Sequence, residues 1–296
     1  MNTRENAKPA QPLIRFVQCA HAGGLHRLAY AEWGEADNPR VVVCVHGLTR
    51  NGRDFDALAR ALVADGYRVI CPDMPGRGRS DWLADPAGYA LPQYVADCVT
   101  LLARLDVEQV DWVGTSMGGL IGMLLAAMPG QPNPIRRMVL NDIGPVVNAA
   151  GVRALVERLA QRPAGFASFD EGLAYTRDVA AASFGPHTDA QWRMLAEHTV
   201  VQRDGRWQMH YDGVLIDEAL KSLDKVAPPL WALWDQIRCP VLLLRGAEST
   251  LLDEAVAQEM TRRGPKAALH TYAGVGHAPS LLPAGQIGDV LGFLAG

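Results

Sequence analysis

The stretch Val110-Asp111-Trp112-Val113-Gly114-Thr115-Ser116-Met117-Gly118-Gly119-Leu120-Ile121-Gly122-Met123-Leu124-Leu125-Ala126-Ala127 decides how the chain is read. It opens on a short β-branched, apolar run, the pattern of a buried strand. It closes on small and apolar residues of good helix propensity. Between them, Gly114-Thr115-Ser116-Met117-Gly118 matches G-x-S-x-G. A strand that turns directly into a helix must bend sharply at Ser116, which strains the backbone there and lifts the hydroxyl clear of the sheet. Glycines on either side meet a steric demand, since a Cβ would collide with the neighbouring strand or helix. The helix that follows turns its free N–H groups toward any anion formed beside Ser116. The plainer interpretation is an ordinary serine in a glycine-rich turn; the strand before it and the apolar helix after it favour a nucleophile.

Outward from this corner the chain alternates strand and helix. Val41–Val45 is a continuous apolar run, the mark of a central strand covered on both faces, and runs into His46-Gly47-Leu48-Thr49-Arg50-Asn51-Gly52. Helical periodicity over Asp54–Asp65 and a strand at Tyr67–Cys71 complete a βαβ unit and imply a parallel sheet. Earlier, Leu13–Cys19 and Leu25–Trp33 read as strands around the turn signal His21-Ala22-Gly23-Gly24. Asp73-Met74-Pro75-Gly76-Arg77-Gly78-Arg79-Ser80 is a loop, and Leu91–Leu105 a helix. The helix after Ser116 stops at Pro129-Gly130, and the strand Ile135–Leu140 leads into Asn141-Asp142-Ile143-Gly144-Pro145.

After Pro145 the alternation stops. Residues 146–236 read as mostly helical, without a buried strand: Ala150–Gln161, Asp170–Ala182, Asp189–Val200, Tyr211–Lys225 and Pro229–Gln236. Trp192, Met194, His198, Trp207, Met209, His210, Trp231 and Trp234 are expected to pack this segment on the core, some of them lining a cavity roof. Strand and helix then resume with Cys239–Arg245, Asp253–Arg263, Ala267–Tyr272 and Ala284–Ala295, with Asp253 expected as a helix N-cap.

The 296 residues suffice for a large core plus an insertion. With 49% hydrophobic residues and a net charge of −4, composition speaks against both disorder and a nucleic-acid surface. Cys19, Cys44, Cys71, Cys98 and Cys239 show no C-x-x-C pairing; their odd number and apolar settings predict reduced thiols, not a disulfide frame or zinc site, and hence a cytoplasmic protein. Residues 1–12 are polar, lack a signal-peptide core and read as a loose tail. No apolar run reaches membrane-spanning length. Oligomeric state is not legible.

Val45-His46-Gly47-Leu48, Asp73–Ser80, Gly114–Gly119, Asn141–Pro145 and Gly274-Val275-Gly276-His277 together resemble an α/β-hydrolase-fold enzyme, over nearly the whole chain after the first dozen residues. The resemblance implies a mostly parallel central sheet flanked by helices, a core of residues 13–145 and 237–296, and a helical cap, 146–236, inserted after the sixth strand. It also implies the chain order nucleophile, acid, histidine.

A serine hydroxyl needs a base within hydrogen-bond reach. Of eight histidines, His277 stands in a Gly-x-Gly-His-Ala-Pro loop after the last strand, at the carboxyl end of the sheet where ligands bind. His46 reads as a fold-stabilising hydrogen bonder, and His187, like the remaining histidines, as a surface, cap or strand residue. The acid must hold the imidazole's tautomer and stabilise its charged form. Many relatives draw it from the loop after the strand that is Val241–Arg245 here, but where they show Ser-Asp this chain has Ser249-Thr250. Asp142, at the preceding strand end, is favoured; Glu248, in the usual loop but out of register, is the alternative. The family's oxyanion hole falls on the backbone N–H groups of Leu48 and Met117.

These residues predict a serine hydrolase that cleaves a small carboxylic ester, lactone or thioester through an acyl-enzyme. A serine at the elbow speaks against haloalkane dehalogenase and epoxide hydrolase chemistry, which need a carboxylate there. No cofactor and no metal are expected: Asp73–Arg79 lacks a dinucleotide fingerprint, and no His/Glu cluster has ligand spacing. Two alternatives stand beside the esterase: a carbon–carbon bond hydrolase of the meta-cleavage type, with Arg50, Arg53, Arg77 and Arg79 available to hold a carboxylate, and a non-catalytic ligand-binding protein of the same fold.

Overall fold

Two strands open the chain. β1 (Leu13–His21) and β2 (Gly24–Trp33) pair antiparallel about the turn at Gly23, and β2 then pairs antiparallel with β4 (Arg68–Pro72), which follows β3 (Val41–Val45) in the chain. β5 (Val110–Thr115), β6 (Ile135–Asn141), β9 (Val241–Gly246) and β10 (Ala268–Tyr272) complete a sheet of order β1-β2-β4-β3-β5-β6-β9-β10, parallel from β4 onward. This computed structural model describes residues 11–130, 133–224 and 228–296. The expected tail therefore lies almost wholly outside the described residues, as does Lys225 at the end of an expected helix.

Strand alternation divides the core into two layers. Val41, Val43, Val45, Trp112 and Leu140 face one way, onto α2 (Leu91–Arg104) and α3 (Met117–Ala126). Val42, Cys44, Val113 and Val139 face the other, onto α1 (Asp56–Ala64) and α10 (Ala284–Ala295). The strand and helix order of the core follows the sequence expectation. At the start of α1 the chain first makes a 3₁₀ turn, Gly52–Phe55, because the Asn51 side chain accepts the Arg53 N–H and tightens the entry.

Between β6 and β9 lie α4 (Ala149–Ala160), α5 (Phe169–Phe184), α6 (Asp189–Glu197), α7 (Val214–Ser222) and α8 (Trp231–Trp234). The segment is not wholly helical. The helix expected to reach Val200 ends at Glu197, and β7 (Val200–Arg203) pairs with β8 (Arg206–Met209). The hairpin turns on Asp204 and Gly205, both at positive φ, and Asp-Gly is the strongest short-range signal for such a turn. Trp234 packs the segment on the core as expected: it is fully buried in the main core cluster and donates its indole N–H to the Arg263 carbonyl at 3.0 Å. One further expectation needs correction. Asp253 occupies the N-cap position of α9 (Glu254–Met260), but its carboxylate accepts from Asn148 Nδ2 at 3.1 and 3.3 Å and caps nothing.

Candidate active site

Ser116 stands where β5 becomes α3, at φ 50°, ψ −112°, a conformation that non-glycine residues adopt only under constraint. The constraint is visible. The Ser116 N–H donates to the Asn141 carbonyl at 3.0 Å, and the Ser116 carbonyl accepts from the Gly119 N–H at 2.9 Å. A Cβ on Gly118 would overlap the Val45 carbonyl, and one on Gly114 would overlap Gly118.

The Ser116 Oγ lies 2.8 Å from His277 Nε2, and His277 Nδ1 lies 2.8 Å from Asp142 Oδ2. His277 is carried by the loop after β10. Asn141 Nδ2 braces this loop, donating to the Pro279 carbonyl at 2.8 Å and to Thr115 Oγ1 at 3.0 Å. From the insertion, the Ser183 carbonyl accepts the Gly276 N–H at 2.9 Å, and the His187 ring sits 2.7 Å from Ser280 Oγ. Sequence reading had given His187 and Asn141 no such task; for Asn141 its place beside Asp142 was the available signal.

Asp142 is fully buried and left-handed, φ 58°, a conformation aspartate tolerates better than most residues. Its second oxygen, Oδ1, accepts the Gly246 N–H at 3.1 Å, while its own N–H donates to the Leu244 carbonyl at 2.8 Å. The neighbouring strand end thus holds the carboxylate against the ring. Glu248 is exposed and points elsewhere: its Oε1 accepts the Gly274 N–H at 3.1 Å. The structure brings Ser116, His277 and Asp142 together and leaves Glu248 outside.

Leu48 and Met117 both border the space beside the Ser116 hydroxyl, and among the described residues neither backbone N–H is taken by a protein acceptor. Behind them lies Arg77, fully buried and without a carboxylate partner among the described residues. It donates from Nε to the Leu48 carbonyl at 2.8 Å, and from Nη1 to the Pro75 carbonyl and the Tyr94 hydroxyl at 2.7 and 2.8 Å. Arg77 therefore fixes the Leu48–Thr49 peptide, on the carbonyl side of the residue whose N–H borders Ser116. The other arginines considered as carboxylate holders are engaged or outward. Arg50 is bidentate with Asp54 and Arg53 with Asp56, and Arg79 is exposed.

His46 has the bracing role expected of it. Its Nδ1–H donates to the Gly47 carbonyl at 2.7 Å and its Nε2 accepts the Met74 N–H at 2.9 Å. Burial, reinforced by Arg77, drives its pKa down to about 3, so it is neutral. Asp73 is buried and accepts the N–H groups of Gly52 and Arg79; burial outweighs these bonds and lifts its carboxyl to about 6.

Two cavities meet at Ser116. One, of about 130 Å³, is lined by His277, His46, Tyr175, Phe184 and Leu195. The other, of about 480 Å³, is lined by Met117, Ile143, Leu155, Leu215 and Ala219. Of the large residues expected to roof a cavity, Met209 lines the first, whereas Trp192 packs with Leu195 in a cluster of the insertion. Among the described residues, no three metal-ligating side chains converge on either cavity.

The profile of the alpha/beta hydrolase fold family matches residues 40–284. This chain belongs to that family. The α/β hydrolase is 48% identical to a 3-hydroxybutyrate-oligomer hydrolase of Cupriavidus necator, over 97% of this chain and 99% of that one. It is 30% identical to the esterase YbfF of Escherichia coli over 81% of this chain and 87% of that one. Among solved structures, an alpha/beta hydrolase of Novosphingobium aromaticivorans superposes with a TM-score of 0.84 at 34% identity, covering 97% of this chain and 99% of that one. No helix among the described residues is long and apolar enough to cross a membrane.

Proposed function

We propose that this α/β hydrolase is a serine esterase whose substrates are short oligoesters of a small hydroxyacid, of the 3-hydroxybutyrate kind. The observation that carries the reading is the unbroken chain Ser116 Oγ, His277, Asp142, with 2.8 Å at both links. The name of the Cupriavidus relative supports the substrate class.

In this reading His277 Nε2 takes the Ser116 proton as Oγ attacks the ester carbonyl. Asp142 holds Nδ1–H toward itself and stabilises the imidazolium that forms. The oxyanion is received by the Leu48 and Met117 N–H groups, aided by the positive end of α3. His277 then protonates the departing alcohol, and an acyl-Ser116 ester remains. Water, deprotonated by His277, attacks this ester; the acid leaves and the hydroxyl is restored. Because His277 delivers the proton, the alcohol belongs on its side, in the smaller cavity, and the acyl group in the larger, beside Met117. Residues 146–236 serve as the cap, since α4 contributes walls to both cavities, α5 to the smaller and α7 to the larger.

A carbon–carbon hydrolase needs a free cation for its substrate's carboxylate, and the pairing of Arg50 and Arg53 with aspartates speaks against it. The non-catalytic alternative drew on a vacant acid position, and Asp142 supplies a carboxylate at the ring. Five unpaired cysteines, four of them buried, support a place in the reducing cytoplasm.

The test is direct. Purified protein should hydrolyse 3-hydroxybutyrate dimer and trimer and p-nitrophenyl butyrate, and a fluorophosphonate should label Ser116 but not the Ser116→Ala variant. Hydrolysis that survives Ser116→Ala would overturn the mechanism; labelling without hydrolysis of the oligomers would overturn the substrate class.

A further inference from the structure

Cys19 and His26 are directly opposed across the β1–β2 pair, and Asp97 reaches them from α2. Among the described residues this is one group of three whose ligand atoms, Cys19 Sγ, a His26 ring nitrogen and an Asp97 oxygen, lie within 4.8 Å of one another. All three side chains are buried, at 1%, 2% and 0% exposure, and none lines a cavity at Ser116.

The polar accounting here does not close. Among the described residues, both ring nitrogens of His26 and Asp97 Oδ2 lack a hydrogen-bond partner. His26 Nε2 and Asp97 Oδ2 are 3.2 Å apart, but out of line for a hydrogen bond. Buried groups of this kind are rarely left so. The other Asp97 oxygen is occupied: Gln93 Nε2 donates to Oδ1 at 2.8 Å and to the Ala20 carbonyl at 2.9 Å. Gln93 thus turns the free oxygen inward, as outer partners of metal-binding carboxylates do.

We propose that Cys19, His26 and Asp97 form a binding site for a soft divalent cation of the zinc class. Thiolate, imidazole and carboxylate are the donors zinc takes, at about 2.0–2.3 Å, which places the donor atoms about 3.3–3.6 Å from one another in a tetrahedron. His26 Nε2 and Asp97 Oδ2 are already at such a distance, and loading draws Cys19 Sγ in from within 4.8 Å of them, a closure of at most about 1.5 Å; a water completes the fourth position. On loading, the Cys19 thiol releases its proton to solvent, His26 binds as neutral imidazole and Asp97 as carboxylate. The cation then ties the β1–β2 hairpin, at the edge of the sheet, to α2. Positions 19, 26 and 97 follow no recognised ligand spacing, because strand pairing and helix packing, not chain proximity, assemble them.

Cobalt(II) is the probe. Titrating the metal-free protein should load one equivalent with a thiolate-to-cobalt charge-transfer band, displaced by zinc. The band should vanish in Cys19→Ser and persist in Cys98→Ser and Cys239→Ser. Gln93→Ala, which keeps all three ligands, should weaken cobalt binding about 10- to 100-fold. An anomalous-scattering peak between the three side chains in a cobalt-soaked crystal of the unaltered protein would locate the ion without any variant. Absence of the band, or a band indifferent to Cys19→Ser, would overturn the site and leave a metal-free contact between His26 and Asp97. Esterase activity is a separate readout: its loss in unaltered protein would count against the proposed function and not against this site.

Discussion

Along the carboxyl edge of the sheet, His46, Asn141 and Asp142 are each at most 1% exposed, and strand-end carbonyls, amides and side chains hold them from several directions. Above that edge, the segment between β6 and β9 buries its apolar side chains in three small clusters. One is around Tyr211 and Ile216, one around Trp192, and one around Val200. The two regions share the cavities but not their construction. Tight packing fixes reacting atoms to within a fraction of an ångström. Small clusters joined by a hairpin and loops permit changes of shape and size. Changes in the first region should therefore act on kcat, and changes in the second on which ester is preferred.

The sharpest way to break this division is Asp142→Asn. It should lower kcat about 10⁴-fold with the fold intact, as when a triad acid loses its charge and the histidine its tautomer. Steady-state kinetics with p-nitrophenyl butyrate and a thermal melt would check both halves. Next comes Arg77→Met, which removes the donor holding the Leu48 carbonyl; kcat should fall about 10²-fold, the low end for losing one oxyanion donor, with KM little changed. From the insertion, Ala219→Phe narrows the larger cavity without touching Ser116. We expect kcat/KM for p-nitrophenyl hexanoate to drop about tenfold while that for the acetate holds, within the range a hydrophobic pocket can discriminate. A similar drop on both esters would break the division. Glu248→Gln should change kcat by less than about twofold, and a large loss would move the acid to the other loop.

One prediction concerns stability alone. His46 is neutral in the folded protein, with a pKa near 3 against an ordinary 6.5. Between those values the unfolded chain takes up a proton that the native state refuses. The stabilisation is present above about pH 6.5 and is lost as pH falls, at a limiting slope of about 1.4 kcal/mol per unit. Urea midpoints at pH 7, 6 and 5 should decline, and His46→Asn, less stable at pH 7, should show a flatter decline.

Much of the edge was legible because its constraints are local. G-x-S-x-G demands its strand and its helix, and the βαβ rhythm gives the sheet. The choice between Asp142 and Glu248 needed three dimensions: two strand ends are neighbours in the sheet, and only backbone direction decides which carboxylate meets the ring. Arg77 was obscured for a related reason. An arginine on a loop reads as solvated, and nothing near it in sequence reveals that the Leu48 carbonyl and Tyr94 would enclose it. In the insertion, the helical period of Asp189–Val200 overrode the Asp204-Gly205 turn signal, so the hairpin was read through. His187 and Asn141 went unassigned because their work lies in contacts with the loop of His277.

The meeting of two chambers at one hydroxyl bears on traffic. Under the proposed mechanism the halves of a severed ester would lie in different chambers. An alcohol fragment would then depart past the imidazole while the acyl half stays anchored, and the incoming water would take the space just vacated. Successive cuts on one oligomer would then require no reversal of the strand through a single doorway.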